Sequence, residues 1–337
     1  MLAERLEALW YRPPRLAYAL IPVALIYRCI TGLRRALYRW RMLPRTRLGV
    51  PVIVVGNITV GGTGKTPLTL WLVERLAAQG LHPGVVCRSY AATATTPNRV
   101  QPGDDPRMKG DEAALIATRV KCPVWSGPDR VATARAMLAH DAHVDVVVCD
   151  DGLQHYALDR DCEIAVIDAM RGFGNGLALP AGPMREPRAR LRTVHAVVTN
   201  GSNAITALPQ EVPHFRMSLQ GAELRNVTDP GRVASPGELA GKKLVAIAGI
   251  GNPRRFFDHL DSLGLTFEAH AFPDHFEYRP SDLHSLQADA VLMTEKDAIK
   301  CARFEDPRLW MLPVSAAVSD GLLCLVLERI RASLQPS

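Results

Sequence analysis

The 337-residue sequence predicts an α/β fold in which a mostly parallel sheet is flanked by helices. From residue 51 onward, apolar runs of strand length alternate with helical patterns, which is typical of strands joined by helical crossovers. A glycine-rich segment at residues 59–66 connects the first of these strands to the first helix. The seven cysteines form no C-x-x-C pair, which favours a reducing compartment and argues against a disulfide framework or a zinc ribbon.

Two sets of strands follow one another along the chain. In the first set the predicted strands are 52–55, 85–87, 144–149, 164–167 and 196–198, and the predicted helices are 67–78, 111–119 and 129–139. Ser, Asn, Thr and Pro become frequent between residues 200 and 213, which marks a candidate boundary. Further strands are predicted at 244–248, 290–293 and 310–312. We therefore expect a core over residues 49–200 and a smaller C-terminal α/β lobe over residues 201–337.

The first 48 residues form a basic arm with an apolar middle. They contain ten arginines and only two glutamates, whereas the whole chain has a net charge of +6, so the remainder is slightly acidic. The uncharged run at residues 16–27 is shorter than the roughly 20 residues of a spanning helix, and tryptophans and tyrosines flank it. The arm predicts a helix lying on, or shallowly inserted into, an anionic membrane surface. The alternative is a helical hairpin packed on the core with solvated arginines.

The segment between the first strand and the first helix has the composition of a phosphate-binding loop. It consists of Thr59, Val60, Gly61, Gly62, Thr63, Gly64, Lys65 and Thr66. Glycines let backbone N–H groups turn toward phosphate oxygens, Lys65 can reach the β and γ phosphates, and Thr66 can coordinate magnesium. Thr59 departs from the usual glycine at the first position. The segment predicts a P-loop NTPase-like core that binds ATP with Mg²⁺, and the alternative is a glycine-rich turn without a ligand.

Two carboxylates follow the apolar run at residues 144–149, where a P-loop core places an acidic residue on the metal side. Adjacent residues of a strand point to opposite faces, so only one of Asp150 and Asp151 is expected to face the metal. We assign Asp150 to the magnesium site, and Asp151 either to the reaction centre or to a position behind the magnesium ligands. The alternative is an acidic pair that ends a strand in an Asp-Gly turn.

A further acidic pair begins the predicted helix at residue 111. Asp111 is a candidate base or metal-side carboxylate, since a kinase needs a group that accepts the proton of the attacking hydroxyl. Glu112 joins Thr66 and Asp150 as a candidate magnesium ligand. The alternative is that Asp111 only caps the helix.

Seven spaced motifs extend this pattern over nearly the whole chain. They lie at residues 56–67, 110–112, 150–155, 171–176, 179–187, 272–275 and 293–297. In order and spacing they resemble the tetraacyldisaccharide 4'-kinase family. The resemblance covers the apolar N-terminal arm as well as both predicted lobes.

The resemblance implies transfer of the γ-phosphoryl group of ATP to the 4'-hydroxyl of a tetraacylated glucosamine disaccharide 1-phosphate, which forms lipid IVA. It places this reaction at the cytoplasmic face of the bacterial inner membrane, with a lipid-linked substrate and no obligate protein partner. It implies a catalytic pair of Asp111 and His275 acting with Lys65 and Asp151. It also implies contacts between the lipid headgroup and four residues: Arg88, Gln154, Arg171 and Arg185.

Other functions of a P-loop core remain open at this point. A membrane-bound nucleotide switch would hydrolyse nucleotide in response to a protein partner. An ATP-dependent ligase of the same class would have no need of the N-terminal arm. Nucleic-acid binding is not expected, because no recognition motif follows the basic arm.

Overall fold

The structure is a computed structural model that describes residues 10–11, 17–89, 95–205 and 208–335. Its strands are β1 (Val52–Gly56), β2 (Pro83–Arg88), β3 (Asn98–Val100), β4 (Val124–Gly127), β5 (Val146–Asp150), β6 (Cys162–Asp168), β7 (Ala196–Asn200), β8 (His214–Gln220), β9 (Leu224–Asn226), β10 (Val233–Ala234), β11 (Leu244–Ala248), β12 (Phe267–Ala271), β13 (Ala290–Thr294), β14 (Leu309–Leu312) and β15 (Ser315–Val318).

The α-helices of the described residues lie between these strands and at the two ends of the chain. They are α1 (Ile21–Arg39), α2 (Lys65–Ala78), α3 (Pro106–Lys109), α4 (Asp111–Arg119), α5 (Arg130–His140), α6 (Pro236–Leu239), α7 (Pro253–Ser262), α8 (Pro280–His284), α9 (Glu295–Cys301) and α10 (Asp320–Leu334).

The larger sheet has nine strands in the order β15-β8-β7-β6-β1-β5-β2-β4-β3. Only β3 and β15 pair antiparallel to their neighbours, which confirms the predicted mostly parallel sheet flanked by helices. The central strands are buried on both faces and therefore read as continuous apolar runs in the sequence. One face packs on α2, α4 and α10, and the other packs on α5 and the chain between β6 and β7.

The smaller sheet has six strands in the order β10-β9-β14-β13-β11-β12. Strands β11, β12 and β13 are parallel, so the loops that follow them leave the sheet at one edge. Strands β1, β5, β6 and β7 of the larger sheet likewise end at one edge. Side-chain contacts join these two edges, for example the hydrogen bond from Asn252 to Asp168. The groups at the strand ends therefore meet between the lobes.

Strand pairing places the change of sheet later than the expected boundary near residue 200. Strand β8 pairs with β7 in the larger sheet, and β15 returns to pair with β8 before α10 packs on the same core. The polar stretch at residues 200–213 is thus a connection into another strand of the same sheet. We therefore propose a larger lobe of residues 49–220 with 315–335, and a smaller lobe of residues 224–312.

In the described part of the arm, the long helix α1 is preceded by a short 3-10 helix at Ala17–Leu20. Residues 17–39 are long and apolar enough, by length and composition, to cross a membrane. Pro22 does not interrupt the helix, because it lies in the first turn, where no backbone donor is lost. The helix extends beyond the apolar run to Arg39. Residues 1–9 and 12–16 of the predicted arm lie outside the described residues.

Helix α1 exposes its apolar side chains and attaches to the larger lobe through arginines. Arg34 donates to the carbonyl oxygen of Gln154 at 3.3 Å, and Arg35 donates to the hydroxyl of Thr193 at 2.9 Å. The exposed apolar residues of the helix are 52% to 62% accessible: Val23, Leu25, Ile26, Ile30 and Leu33. An apolar face of this kind beside polar attachment points is the pattern of a helix that binds a lipid surface.

Replacing Ile26, Ile30 and Leu33 with aspartate is expected to move the protein from the membrane fraction to the soluble fraction. Each large apolar side chain contributes about 1.5–3 kcal/mol when it is fully buried, so the triple variant should lose more than about a hundredfold in membrane partitioning. Partitioning is measured by flotation with anionic vesicles. The double variant Arg28→Gln with Arg39→Gln is the control and should change mainly the salt dependence. Unchanged flotation of the triple variant would place the membrane contact elsewhere.

Candidate active site

The phosphate loop joins the end of β1 to the start of α2. Gly61 and Gly64 have φ angles of 98° and 94°, a region that glycine adopts without strain. The amide of Asn200, at the end of β7, donates to the carbonyl oxygen of Thr63 at 3.1 Å, and a Cβ atom at Gly64 would collide with that amide. The side-chain hydroxyl of Thr63 is buried without a hydrogen-bond partner among the described residues. The loop therefore has the shape and the glycine positions of an anion cradle.

Lys65 begins α2 and is only 8% exposed. Its ammonium lies 3.5 Å from Asp151, and the guanidinium of Arg185 donates to both oxygens of the same carboxylate at 3.1 and 3.2 Å. Burial alone would raise the pKa of Asp151, but the charges of Lys65 and Arg185 outweigh it and hold that pKa well below its usual value. Asp151 is thus an ionised carboxylate that directly faces the lysine of the phosphate loop.

Asp150 is the last residue of β5 and points toward α2. One carboxylate oxygen accepts from the hydroxyl of Thr69 at 2.9 Å, and the other is buried without a partner among the described residues. Burial, and next the negative charge of Glu112, raise the pKa of Asp150 to about 7. A buried carboxylate oxygen without a hydrogen bond is costly unless a cation or a proton occupies it.

The oxygen atoms near Asp150 fit a magnesium ion. Mg²⁺ prefers oxygen ligands and is usually held by one or two carboxylates together with substrate phosphates. In the described ranges no group of three or more His, Cys, Asp or Glu side chains could hold an ion by itself. The unpartnered carboxylate oxygen of Asp150 suits such an ion, and Thr66 remains a predicted second ligand.

Asp111 and His275 meet across the two lobes. Asp111 begins α4 of the larger lobe, and His275 follows β12 of the smaller lobe with a φ angle of 61°. The Nδ1 atom of His275 lies 2.9 and 3.2 Å from the two carboxylate oxygens of Asp111. Gly110, not Asp111, occupies the cap position of α4, so capping alone does not account for this acid.

Asp111 is held in its ionised form. Burial would raise its pKa, but the hydrogen bond from His275 and the charge of Lys296 outweigh burial and keep the pKa well below its usual value. An ionised carboxylate can only accept hydrogen bonds, so Nδ1 of His275 is the donor in this contact. In the neutral ring Nε2 is then the nitrogen that can accept a proton, and it lies 3.9 Å from a carboxylate oxygen of Asp274.

The chain matches the sequence model of the tetraacyldisaccharide-1-P 4'-kinase family over residues 16–331. This chain belongs to that family. Enzymes named tetraacyldisaccharide 4'-kinase from Herminiimonas arsenicoxydans and Dechloromonas aromatica are 44% and 46% identical to it, and each alignment covers 98% of this chain and at least 96% of the relative. The apo form of LpxK from Aquifex aeolicus, crystallised in complex with ATP, aligns with a TM-score of 0.77 at 26% identity, covering 94% of this chain and 99% of that one.

Within this 4'-kinase fold, each of the four predicted headgroup residues has its own set of neighbours, and their contact with a lipid headgroup stays a prediction. Arg185 pairs with Asp151, and the amide of Gln154 donates to the carbonyl oxygen of Asn57 at 3.0 Å, on the side where α1 is attached. Arg88 ends β2, and its charge is one of the causes that lower the pKa of His155 to about 4, after burial and Arg130. Arg171 instead lies beside Gly61 of the phosphate loop, with its guanidinium 5.0 Å from the Tyr11 ring.

Sequence reasoning missed a set of residues that join the lobes beside the phosphate loop of this kinase. Asn252 and Arg255 of the smaller lobe both donate to Asp168, which ends β6. Gly251 packs against the loop so closely that a Cβ atom there would collide with the backbone nitrogen of Gly62. The position of Asp168 at the end of an apolar strand is a sequence signal that could have identified it as a candidate site residue.

A cavity of about 890 Å³ lies between α4 and α9. Its walls include Asp111 and His275 but no residue of the phosphate loop. The ion pair between Arg119 of α4 and Glu295 of α9 borders this cavity and joins the same two helices. The acid–histidine pair of the kinase therefore lines this cavity.

Replacing Asp150 with asparagine is expected to stabilise the metal-free, nucleotide-free protein at neutral and higher pH. Below about pH 4 the carboxyl is protonated in both folded and unfolded chains. As the pH rises toward 7 the unfolded chain ionises while the buried group resists, so wild-type stability falls relative to the variant. The difference in the free energy of unfolding should grow by an amount on the order of 1–4 kcal/mol between pH 4 and pH 8.

Urea unfolding in the presence of a chelator at several pH values measures this difference. The exposed Glu74 on α2 is the matched control, since Glu74→Gln should show little pH-dependent difference from the wild type. A pH-independent difference for Asp150→Asn would show that this carboxyl does not resist ionisation in the folded protein.

Proposed function

We propose that this chain transfers the γ-phosphoryl group of ATP to the 4'-hydroxyl of tetraacyldisaccharide 1-phosphate and so forms lipid IVA. The observation that carries the proposal is the contact between Asp111 and His275, which brings a proton acceptor to the same carboxyl edges as the phosphate loop. Family membership and the names of the relatives support this choice of substrate.

The nucleotide phosphates are bound by the loop amides of residues 59–66 and by Lys65. In the structure the ammonium of Lys65 faces Asp151, so it must turn from this carboxylate toward the phosphates when ATP binds. Arg185 remains on Asp151 and compensates its charge during that exchange. When bound, Mg²⁺ would compensate negative charge that develops on the phosphate oxygens. Thr66, Asp150 and Glu112 are the residues proposed to hold it.

His275 accepts the proton of the sugar hydroxyl at its Nε2 atom. Asp111 holds Nδ1, fixes the orientation of the ring and stabilises the imidazolium that forms. Asp151 lies with Lys65 at the phosphate side and holds that lysine beside the phosphate loop until ATP binds. The chain therefore mainly places the reacting groups and compensates their charge, as phosphoryl transfer requires.

The lipid approaches from the side on which α1 is attached. Arg34 of α1 contacts the backbone at Gln154, and Gln154 in turn contacts the backbone of Asn57 before the phosphate loop. We propose that the exposed apolar face of α1 lies in the cytoplasmic surface of the bacterial inner membrane, where its arginines meet anionic headgroups. Arg88, Gln154, Arg171 and Arg185 are the proposed contacts to the sugar phosphate headgroup.

ADP release by the purified protein tests the proposal. Release should depend on tetraacyldisaccharide 1-phosphate, and Lys65→Ala should lower it by on the order of a hundredfold, because a preorganised charge next to the transferred group is lost. Folding of the variant is checked by circular dichroism. ADP release that ignores the lipid and responds to an added protein fraction would indicate a nucleotide switch instead.

The pair of Asp111 and His275 is expected to act as one unit. Asp111→Asn and His275→Gln should each lower kcat by on the order of a hundredfold or more, and the double variant should be little slower than the slower single variant. The measurement uses saturating ATP and lipid.

His270→Gln is the matched control, because His270 and Glu268 form another histidine–carboxylate pair, exposed on β12. This variant should keep wild-type turnover. Losses that multiply in the Asp111 and His275 double variant would assign the two residues to separate steps.

A further inference from the structure

We infer that Lys296 is a positioning residue that keeps Asp111 and His275 within hydrogen-bonding distance of each other across the two lobes. The inference rests on the proposed phosphoryl transfer, and it assigns a function to a motif, residues 293–297, for which the sequence suggested none. Lys296 is the second residue of α9 in the smaller lobe. Its ammonium lies 3.7 Å from Asp111, 3.6 Å from Glu112 and 3.4 Å from Asp274.

The location of Lys296 is unfavourable for a lysine that has no partner. The first turn of a helix carries the positive end of the helix dipole, and anionic side chains are preferred there. Thr294 caps α9, and Glu295 and Asp297 in the same turn follow that preference, whereas Lys296 does not. Its stabilisation comes from the acids around it, two of which begin the facing helix α4.

Lys296 contacts both members of the pair, directly or through one residue. It pairs with Asp111 itself. It also donates to an oxygen of Asp274, and that same oxygen accepts from the backbone N–H of His275 at 3.0 Å. His275 has a left-handed backbone conformation, which costs a non-glycine residue free energy and persists only where neighbouring contacts hold it. One ammonium group therefore fixes the acid and supports the backbone that presents the histidine.

The charge of Lys296 is maintained by its surroundings. Burial would lower the pKa of its ammonium, but the carboxylates of Glu112, Asp274 and Asp111 outweigh burial and raise that pKa above its usual value. The ammonium of Lys296 therefore stays positively charged.

A second ion pair joins the same two helices without touching the catalytic pair. Arg119 at the end of α4 pairs with Glu295, which also accepts from the backbone N–H of Val314 at 3.0 Å. Arg119 and Lys296 thus both tie α4 to α9, but only Lys296 reaches Asp111. This difference separates a role in positioning from a role in merely holding the lobes together.

The test compares Lys296→Met, Lys296→Arg and Arg119→Met in the full chain, with folding checked by thermal unfolding. Lys296→Met should lower kcat by roughly tenfold or more while the KM for ATP changes by less than about threefold. Lys296→Arg should recover part of kcat because it keeps the charge. Arg119→Met should lower kcat by less than about threefold. In a His275→Ala background, Lys296→Met should have little further effect, since the residue acts through the pair.

A spectroscopic measurement separates this inference from the proposed function. The ¹⁵N signals of the His275 ring, assigned by comparison with His275→Ala, should shift in Lys296→Met and stay near their wild-type positions in Arg119→Met. This readout needs neither lipid nor turnover. If the ring signals shift in Lys296→Met but not in Arg119→Met, and the wild type makes no lipid product, the proposed function fails while Lys296 still positions the pair.

Two results would overturn the inference. One is a folded Lys296→Met protein with unchanged ring signals and unchanged kcat. The other is an equal effect of Arg119→Met on kcat and on the ring signals, which would show that Lys296 only helps to hold the two lobes together.

Discussion

The hydrogen bond between Asp111 and His275 is the contact on which the proposed chemistry depends, because neither lobe contains both groups. The acid begins a helix of the larger lobe, and the histidine follows a strand of the smaller one. Both lobes place the carboxyl ends of their strands toward each other. Open α/β sheets commonly bind their ligands at this end of the strands. A base built in this way exists only while the lobes are together. Proton transfer is therefore tied to the lobe arrangement that also covers the phosphate loop.

Charge compensation explains why so many ionised groups can share this interface. Lys65 and Arg185 face Asp151, and Lys296 faces Asp111, Glu112 and Asp274. Asp150 differs from these acids, since it has one oxygen without a partner and a raised pKa. The site thus keeps one buried carboxylate whose best partner is a cation that is not part of the chain. This imbalance favours arrival of a metal ion together with the nucleotide.

The central strands, the phosphate loop and the acids at the end of β5 could be predicted because each is a local pattern of buried or glycine-rich sequence. Seven strands of the described residues were not predicted, since they are short or partly exposed and form no long apolar run: β3, β4, β8, β9, β10, β12 and β15. The return of β15 to the larger sheet depends on its long-range pairing with β8. Asp111 and His275 are 164 residues apart, so only family resemblance suggested their contact. Lys296 has the sequence appearance of an ordinary charge on a helix.

The position of phosphate on the lipid product tests the proposed reaction most directly. The purified protein is incubated with MgATP and tetraacyldisaccharide 1-phosphate in detergent micelles, and the lipid is analysed by tandem mass spectrometry. The expected product carries one additional phosphate on the distal glucosamine, and it should form on the order of a hundredfold more slowly when His275 is replaced by glutamine. An unchanged lipid despite ADP release, or a phosphate added at another sugar, would contradict 4'-phosphorylation by this chain.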